Sequence, residues 1–422
     1  AGNEVYPTGY MAVPRLNPNI NSYKGKVIAN QTDLNLDFNT GSVRHQMVTG
    51  IELYEESYRK NPYSHMVPDF GGRRRAIDVR DPDTYYSGPW VEHNSTNRAG
   101  LLNRSDKSGA KVQNAGLYVY DQISLNEQWE IAAGLRYDHY RVKWYDHDGN
   151  VLPYRQKEGV WSGRLGVVYK PADNGSIYLS YSQATQPSAA DAASRSGGGG
   201  DKHVANYSPG KAKTWELGTK WELLDEQLLF TAALFQVEKS NPTDTDPNDP
   251  SQTIQSGRKE RVRGLELGLA GNITPKWSVY SGLALMDGGK ILRDSDNPLQ
   301  EGGKLKNVPK ATFNLWTTYA FAPRWDASLG LQYVGKRRFY GGNVTHSPDG
   351  TVYSANVYAP SYWVANAALG YELNDNVTLR LNVNNIFNKF YLQQASASSD
   401  GFQLFGVPGA GRTIILNADL RF

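Results

Sequence analysis

Apolar and polar positions alternate with a period of two through most of the chain. Over 413–422, Ile414, Leu416, Ala418, Leu420 and Phe422 share one side, while Thr413, Asn417, Asp419 and Arg421 share the other. The stretch 376–384 repeats the pattern, with Val377, Leu379, Leu381 and Val383 set against Thr378, Arg380, Asn382 and Asn384. In 363–373, Trp363, Ala365, Ala367, Leu369, Tyr371 and Leu373 oppose Asn366, Gly370 and Glu372. In 213–223, Trp215, Leu217, Trp221 and Leu223 oppose Thr214, Glu216, Lys220 and Glu222. Successive side chains of an extended strand point to opposite faces, so this period predicts strands with one greasy and one polar face. The stretch 228–237 is apolar on both faces and leaves its orientation open.

The pattern predicts fifteen strands, at 26–39, 45–59, 111–125, 127–145, 158–171, 176–188, 212–224, 227–241, 256–273, 275–291, 308–322, 324–340, 361–375, 376–394 and 411–422. Short turns rich in Asn, Asp, Gly and Pro alternate strictly with long connections. Gly41-Ser42-Val43-Arg44, Asn126-Glu127, Ala172-Asp173-Asn174-Gly175, Asp225-Glu226, Thr274-Pro275, Ala322-Pro323 and Asn374-Asp375 are the short ones. The long ones run over 60–110, 146–157, 189–211, 242–255, 292–307, 341–360 and 395–410. Long strands, a tight rim and an elaborate rim describe an all-β fold, a transmembrane antiparallel β-barrel. A soluble sandwich alternates too, but with shorter strands and comparable loops at both ends.

Composition changes little in that picture. The 45 basic and 42 acidic side chains leave a formal charge of +3 on 422 residues, which gives no footprint for nucleic acid. No apolar run approaches the ~18 residues of a membrane helix. The 27 Tyr and 10 Trp outnumber 12 Phe, and Cys is absent, which fits an extracytoplasmic surface. Residues 1–5 lack a basic segment followed by an apolar run, so an export signal is expected to be removed or to lie outside this sequence. No composition shift divides the chain. Fifteen is an odd count where bacterial single-chain barrels have even ones, so the amino-terminal part of the barrel is expected to lie outside these residues.

Several stretches resemble the carboxy-terminal part of TonB-dependent outer-membrane receptors. They are Lys213-Thr214-Trp215-Glu216-Leu217-Gly218-Thr219-Lys220, Val262-Arg263-Gly264-Leu265-Glu266-Leu267-Gly268, and Leu381-Asn382-Val383-Asn384-Asn385-Ile386-Phe387-Asn388-Lys389-Phe390-Tyr391. The ending, Gly406-Val407-Pro408-Gly409-Ala410-Gly411-Arg412 before a strand closing on Phe422, is similar too. The resemblance implies a 22-stranded barrel preceded by a plug domain and a short TonB-contacting box, neither of which is recognisable here. Residues 1–422 would then be the carboxy-terminal portion of the barrel, starting at its eighth strand. The segment 307–319 resembles siderophore receptors of the catecholate type. That resemblance implies a monomer in the outer membrane of a Gram-negative bacterium, in contact with its lipid, that binds a ferric siderophore and couples to TonB. No cofactor is implied, since the chelator carries the iron.

A ferric tris-catecholate is a trianion with planar rings, so its site needs cations and aromatic faces together. Arg73, Arg74 and Arg75, with Tyr85, Tyr86, Trp90 and His93, supply both in the longest connection. The same loop carries Asp69, Asp78, Asp81, Asp83 and Glu92, which equally describe a self-neutralised surface loop. Tyr340, after Lys336, Arg337 and Arg338, reads either as a second basic and aromatic patch at the mouth or as a membrane-edge set meeting anionic head groups. Asp244, Asp246, Asn248 and Asp249 lack the central Gly and distal Glu of an EF-hand. Gly197 to Gly200 lack the ending of a phosphate loop, and neighbouring Lys202 and His203 reach a ligand only by default.

The seven histidines show no metal-ligand spacing, no nucleophile elbow is present, and Asp146-His147-Asp148 reads as a turn. Arg164, Glu216, Lys220, Glu266, Arg380, Asp419 and Arg421 are expected to form a polar luminal wall bridged across strands. The expectation is therefore a receptor and not an enzyme. Rival readings are a passive porin, an outer-membrane hydrolase, and a receptor for heme, cobalamin or a hydroxamate.

Overall fold

The computed structural model describes residues 22–61, 109–145, 150–187, 208–240, 257–295, 298–342, 355–397 and 404–421. It also describes the short strands Tyr10–Val13, Ser64–Pro68, Arg75–Asp78, Trp90–Asn94, Thr243–Thr245 and Thr253–Gln255. One antiparallel sheet runs through the molecule in chain order. Its staves are β1 (Ser22–Thr40), β2 (Val43–Asn61), β3 (Gly109–Ser124), β4 (Trp129–Tyr145), β5 (Val151–Ala172), β6 (Gly175–Gln186), β7 (Gly210–Leu223) and β8 (Leu228–Ser240). They continue as β9 (Lys259–Thr274), β10 (Trp277–Met286), β11 (Ala311–Ala322), β12 (Trp325–Val334), β13 (Tyr362–Asn374), β14 (Val377–Asn384) and β15 (Thr413–Leu420). The fifteen staves follow the fifteen predicted strands one for one. Among the described residues, β1 and β15 each pair on one side only.

Local chemistry makes the tight rim. In the turn before β4, the Asn126 side-chain oxygen accepts the backbone N–H groups of Gln128 and Trp129, both at 2.9 Å. Between β7 and β8, Leu224, Asp225 and Glu226 all take positive φ, at 55°, 53° and 66°.

Three predicted strands overran their ends. The stretch 275–291 breaks after Met286, because Gly288 and Gly289 take φ of 80° and 66° and the Asp287 carboxylate accepts the Gly289 N–H at 2.8 Å. Lys290–Arg293 then folds back onto the top of β9. The stretch 324–340 stops at Val334, and Arg337–Gly342 pairs instead with Ala355–Ala359. The stretch 376–394 stops at Asn384, because buried Asn385 turns the chain at φ 50° and its side chain ties Lys389 and Ala410 to the turn.

Register carries one face of each stave onto the same face of the next. Leu217 pairs with Leu234, Leu234 with Leu265, and Leu265 with Leu285, and Leu217, Leu234 and Leu285 of this row stand exposed on the outer surface. Trp363, more than half exposed at 54%, lies in the same outer set. The ambiguous β8 is settled by its neighbours: Leu234 joins the outer row, while Phe235 turns inward onto Gly264, where a Cβ would meet its ring at 2.7 Å.

The outer surface also carries two aromatic levels. Trp129 packs on Tyr169 and Tyr137 on Trp161, with ring centroids 4.7 and 4.9 Å apart. Trp325 stacks on Tyr371 at 4.3 Å and Tyr333 packs on Trp363 at 4.7 Å. On each of these four staves the two rings are eight residues apart. That span is about 26 Å along a strand. A tilt of ~40° leaves about 20 Å of height, close to the apolar band of ~25 Å between the aromatic girdles of a membrane barrel.

Leu329 lies midway between the girdles on β12, with its side chain on the outer face. Leu329→Arg is expected to destabilise the membrane-inserted barrel by ~2–4 kcal/mol. Urea titration in lipid vesicles measures this, and a neutral effect would remove lipid from that face.

Candidate functional site

The residues singled out from sequence fall on separate pieces. Arg75 pairs with Val13 in one two-stranded ribbon. Trp90 and His93 pair with Pro68 and His65 in another. Tyr340 pairs with Val357 in the ribbon beyond β12. Arg73, Arg74, Tyr85 and Tyr86 lie outside the described residues, as do the Gly197–Gly200 run, Lys202, His203, Asp146 to Asp148, Asp246, Asn248, Asp249 and Phe422. Asp244 is placed, opposite Ile254.

The inward face carries a network that the sequence did not single out. Tyr118 on β3 donates its hydroxyl to Asp33 on β1, and Gln31 donates to the Tyr118 oxygen at 3.0 Å. Arg136 on β4 meets Glu52 on β2 at 3.0 Å and Asp138 at 2.7 Å, and its guanidinium lies over the Tyr118 ring at 5.4 Å. Asn114 donates to Asp138 at 2.8 Å, and Tyr54 donates to Glu56 at 2.5 Å. Register puts all these side chains on one face. Glu52 and Asp138 bind the Arg136 guanidinium, while Asp33 and Glu56 accept tyrosine hydroxyls.

Glycine makes the network possible. Gly50 sits between Asp33 and Tyr118 in register, and a Cβ there would fall 2.5 Å from the Tyr118 hydroxyl and 2.6 Å from the Thr32 carbonyl oxygen. The signal in the sequence was the inward phase of glycines and carboxylates together. It could be read only once the strands were registered.

The expected polar wall is there, but its bonds are more varied than ion pairs. Arg380 meets Asp326 at 3.3 Å. Arg164 lies over the Tyr120 ring at 4.8 Å, Lys220 lies over Tyr178 at 5.7 Å, and Glu216 accepts the Tyr178 hydroxyl at 2.6 Å.

At the elaborate rim, Arg337 and Arg338 correct both readings of their patch. Neither reaches open water or lipid: they are 8% and 7% exposed. Arg337 donates to the carbonyls of Leu392 and Gln393, each at 2.6 Å. Arg338 donates to the Lys304 carbonyl and to Asn356 at 3.2 Å, while its own carbonyl accepts the Asn307 N–H at 2.6 Å. Burial lowers the pKa of the Arg338 guanidinium, and Arg258 adds repulsion, although Tyr358 works the other way. The two arginines staple the connections after β10, β12 and β14 over a small core of Phe339, Ala359 and Ala395. Lys336 alone behaves as a surface cation, lying over the Tyr358 ring at 4.3 Å.

The family described as TonB dependent receptor-like, beta-barrel matches residues 2–386. The chain is 31% identical over 421 residues to the probable TonB-dependent receptor BfrD of Bordetella pertussis, covering 93% of this chain and 52% of that protein. It is 30% identical over 432 residues to the catecholate siderophore receptor Fiu of Escherichia coli K12, covering 96% of this chain and 52% of that one. The crystal structure of Fiu in its closed form, a ferric-catecholate import receptor, superposes with a TM-score of 0.74 at 26% identity, over 95% of this chain and 55% of that chain. The chain thus spans about half the length of the curated relatives it matches.

Arg136→Met leaves Glu52 and Asp138 without their cation and is expected to cost about 3 kcal/mol. Adding Glu52→Gln and Asp138→Asn recovers most of that loss, as unfolding free energies of the single and triple variants would show. Gly50→Ala is expected to cost ~1–3 kcal/mol, because the Thr32 carbonyl must move. Arg338→Ala is expected to open 298–310 to limited proteolysis while leaving the staves protected; an unchanged digest would deny the staple.

Proposed function

Because the chain belongs to the TonB-dependent receptor-like β-barrel family, we propose that it is the carboxy-terminal barrel portion of an outer-membrane receptor for a ferric catecholate siderophore. The outer loops capture the chelate, the lumen passes it inward, and a TonB-type partner at the inner membrane supplies the energy. The observation that carries the ligand class is 30% identity with a catecholate siderophore receptor across 96% of this chain, with a TM-score of 0.74 against a structure of that class. The girdled outer face supports placement in the outer membrane of a Gram-negative bacterium. The basic and aromatic residues Arg73, Arg74, Arg75, Tyr85, Tyr86, Trp90, His93 and Tyr340 remain our candidates for the capture surface. They are chosen for the charge and ring chemistry a catecholate trianion requires.

Relatives that span twice this length leave room for the plug and coupling box that the family resemblance implies. Titrating the full-length receptor with ferric catecholate, ferric hydroxamate, heme and cobalamin tests the reading. Saturable binding is expected for the ferric catecholate, with replacement of Arg73, Arg74 and Arg75 by Gln weakening it at least tenfold. Preference for any of the other three ligands overturns the ligand class.

A further inference from the structure

The outer face is not uniform between its two girdles. At the foot of β10–β12 it carries a groove of 560 Å3, walled by Trp277, Tyr319 and Leu329 and floored by the shorter Thr317 and Ala327. That volume lies within the ~300–1,000 Å3 usual for small-molecule sites. The groove lies away from both edges of the sheet, and the sheet itself separates it from whatever fills the lumen.

Register assembles it. Trp277 pairs with Tyr319 and Tyr319 with Ala327, while Thr317, two residues nearer the elaborate rim, pairs with Val279 and Leu329. A ring in a membrane girdle ordinarily keeps its polar atom on the wet side. Trp277 does the reverse. Its indole N–H donates to the Thr317 hydroxyl at 2.8 Å, and that hydroxyl donates to the Ser278 carbonyl at 2.9 Å. The ring is thereby held up along the wall, and Val279, opposite Thr317 on the same face, is covered. Both bonds are internal, so the wall keeps its shape without help from a headgroup. Trp277, Tyr319 and Leu329 remain exposed toward the groove.

Height assigns the leaflet. From the girdle residue Trp325 to Leu329 is four residues, about 13 Å along the strand and about 10 Å of height at a tilt of ~40°. The groove therefore occupies the half of the apolar band next to the tight rim, the depth of one leaflet's acyl chains. Short turns mark the periplasmic side of such a barrel.

Charge supplies the other end of the ligand. Lys276, just before Trp277, and Arg324, just before Trp325, are exposed in the turns that flank the foot of β11. The stretches 274–276 and 322–324 hold no acidic residue. The Lys276 carbonyl accepts the Ala320 N–H at 2.8 Å, which ties its turn to β11. Arg324 places one N–H on the Leu373 carbonyl at 3.2 Å, and a guanidinium has more to offer. Two cations at headgroup level beside an apolar groove match a lipid phosphate above its own acyl chain.

We propose that this groove is a binding site for one anionic phospholipid of the periplasmic leaflet, with an acyl chain along Trp277, Thr317 and Ala327 and the phosphate held by Lys276 and Arg324. Any lipid could lay a chain there; the paired cations select the anionic one. The site depends on the outer face meeting lipid and is independent of the siderophore class.

The test counts lipids retained by the detergent-solubilised full-length receptor in native mass spectrometry, titrated with dioleoyl phosphatidylglycerol or dioleoyl phosphatidylcholine. One phosphatidylglycerol is expected to bind ahead of any further lipid and about tenfold tighter than phosphatidylcholine. Lys276→Gln with Arg324→Gln should bring the two lipids level. Ala327→Phe fills the groove and should weaken phosphatidylglycerol about tenfold, the effect of roughly two methylene groups left unburied. Ala327→Val should fall between, and heat-resistant mobility on gels shows which variants hold a folded barrel. Equal binding of the two lipids to the wild type overturns the proposal. So does a charge variant that keeps its preference, which would put the phosphate elsewhere. Folded Ala327 variants with unchanged affinity remove the chain from the groove. A dimer that persists without lipid and is lost in Ala327→Phe also overturns it, since a second copy would then be the occupant.

Discussion

A peptide group in lipid has no water to bond, so a strand that crosses a membrane must exchange its hydrogen bonds with neighbouring strands. That constraint accounts for the long staves, for their strict antiparallel order, and for the sheet that runs from β1 to β15 without a crossover. It also locks the side chains. With a period of two, a slip of one residue would turn every leucine of the outer row inward and every charge outward. The register Leu217, Leu234, Leu265 and Leu285 is therefore enforced by solvent on both sides at once, acyl chains outside and water or polypeptide inside.

Once the faces are set, the lumen can gather chemistry from distant parts of the chain. Asp33 and Tyr118 are 85 residues apart in sequence and share a hydrogen bond. The crowding this creates is relieved by glycine: Gly50 admits the Tyr118 hydroxyl and Gly330 admits the Trp316 ring. In both places an absent side chain makes room for one from the neighbouring stave.

The rim shows the opposite economy. Arg337 and Arg338 are buried cations whose partners are mostly backbone carbonyls, from connections that follow three different staves. A guanidinium offers five N–H groups in a rigid fork, so two side chains can hold three loops together where a single ion pair would hold two. Desolvating them is costly, and the cost is offset by carbonyls that would otherwise lack donors. Basic residues before a tyrosine looked like surface chemistry because the residue types fit a ligand. Whether a cation faces solvent or a carbonyl is a matter of neighbours.

The alternation at 363–373, 376–384 and 413–422 was enough to establish strands, their outer and inner faces and, with the turn residues, the tight and elaborate rims. The motifs around Glu216, Glu266 and Asn385 pointed to the family. These features are local, because a two-residue period and a turn propensity survive in any single stave. Strand ends at Met286, Val334 and Asn384 escaped notice because positive-φ glycines and a buried asparagine end a strand only where the next element competes for its edge. The network of Arg136 and the groove beside Trp277 were invisible for a different reason. Each depends on which residue of one stave lies opposite which residue of the next, and pairing across dozens of intervening residues is decided by the hydrogen-bond ladder of the whole sheet, which no stretch of sequence carries by itself.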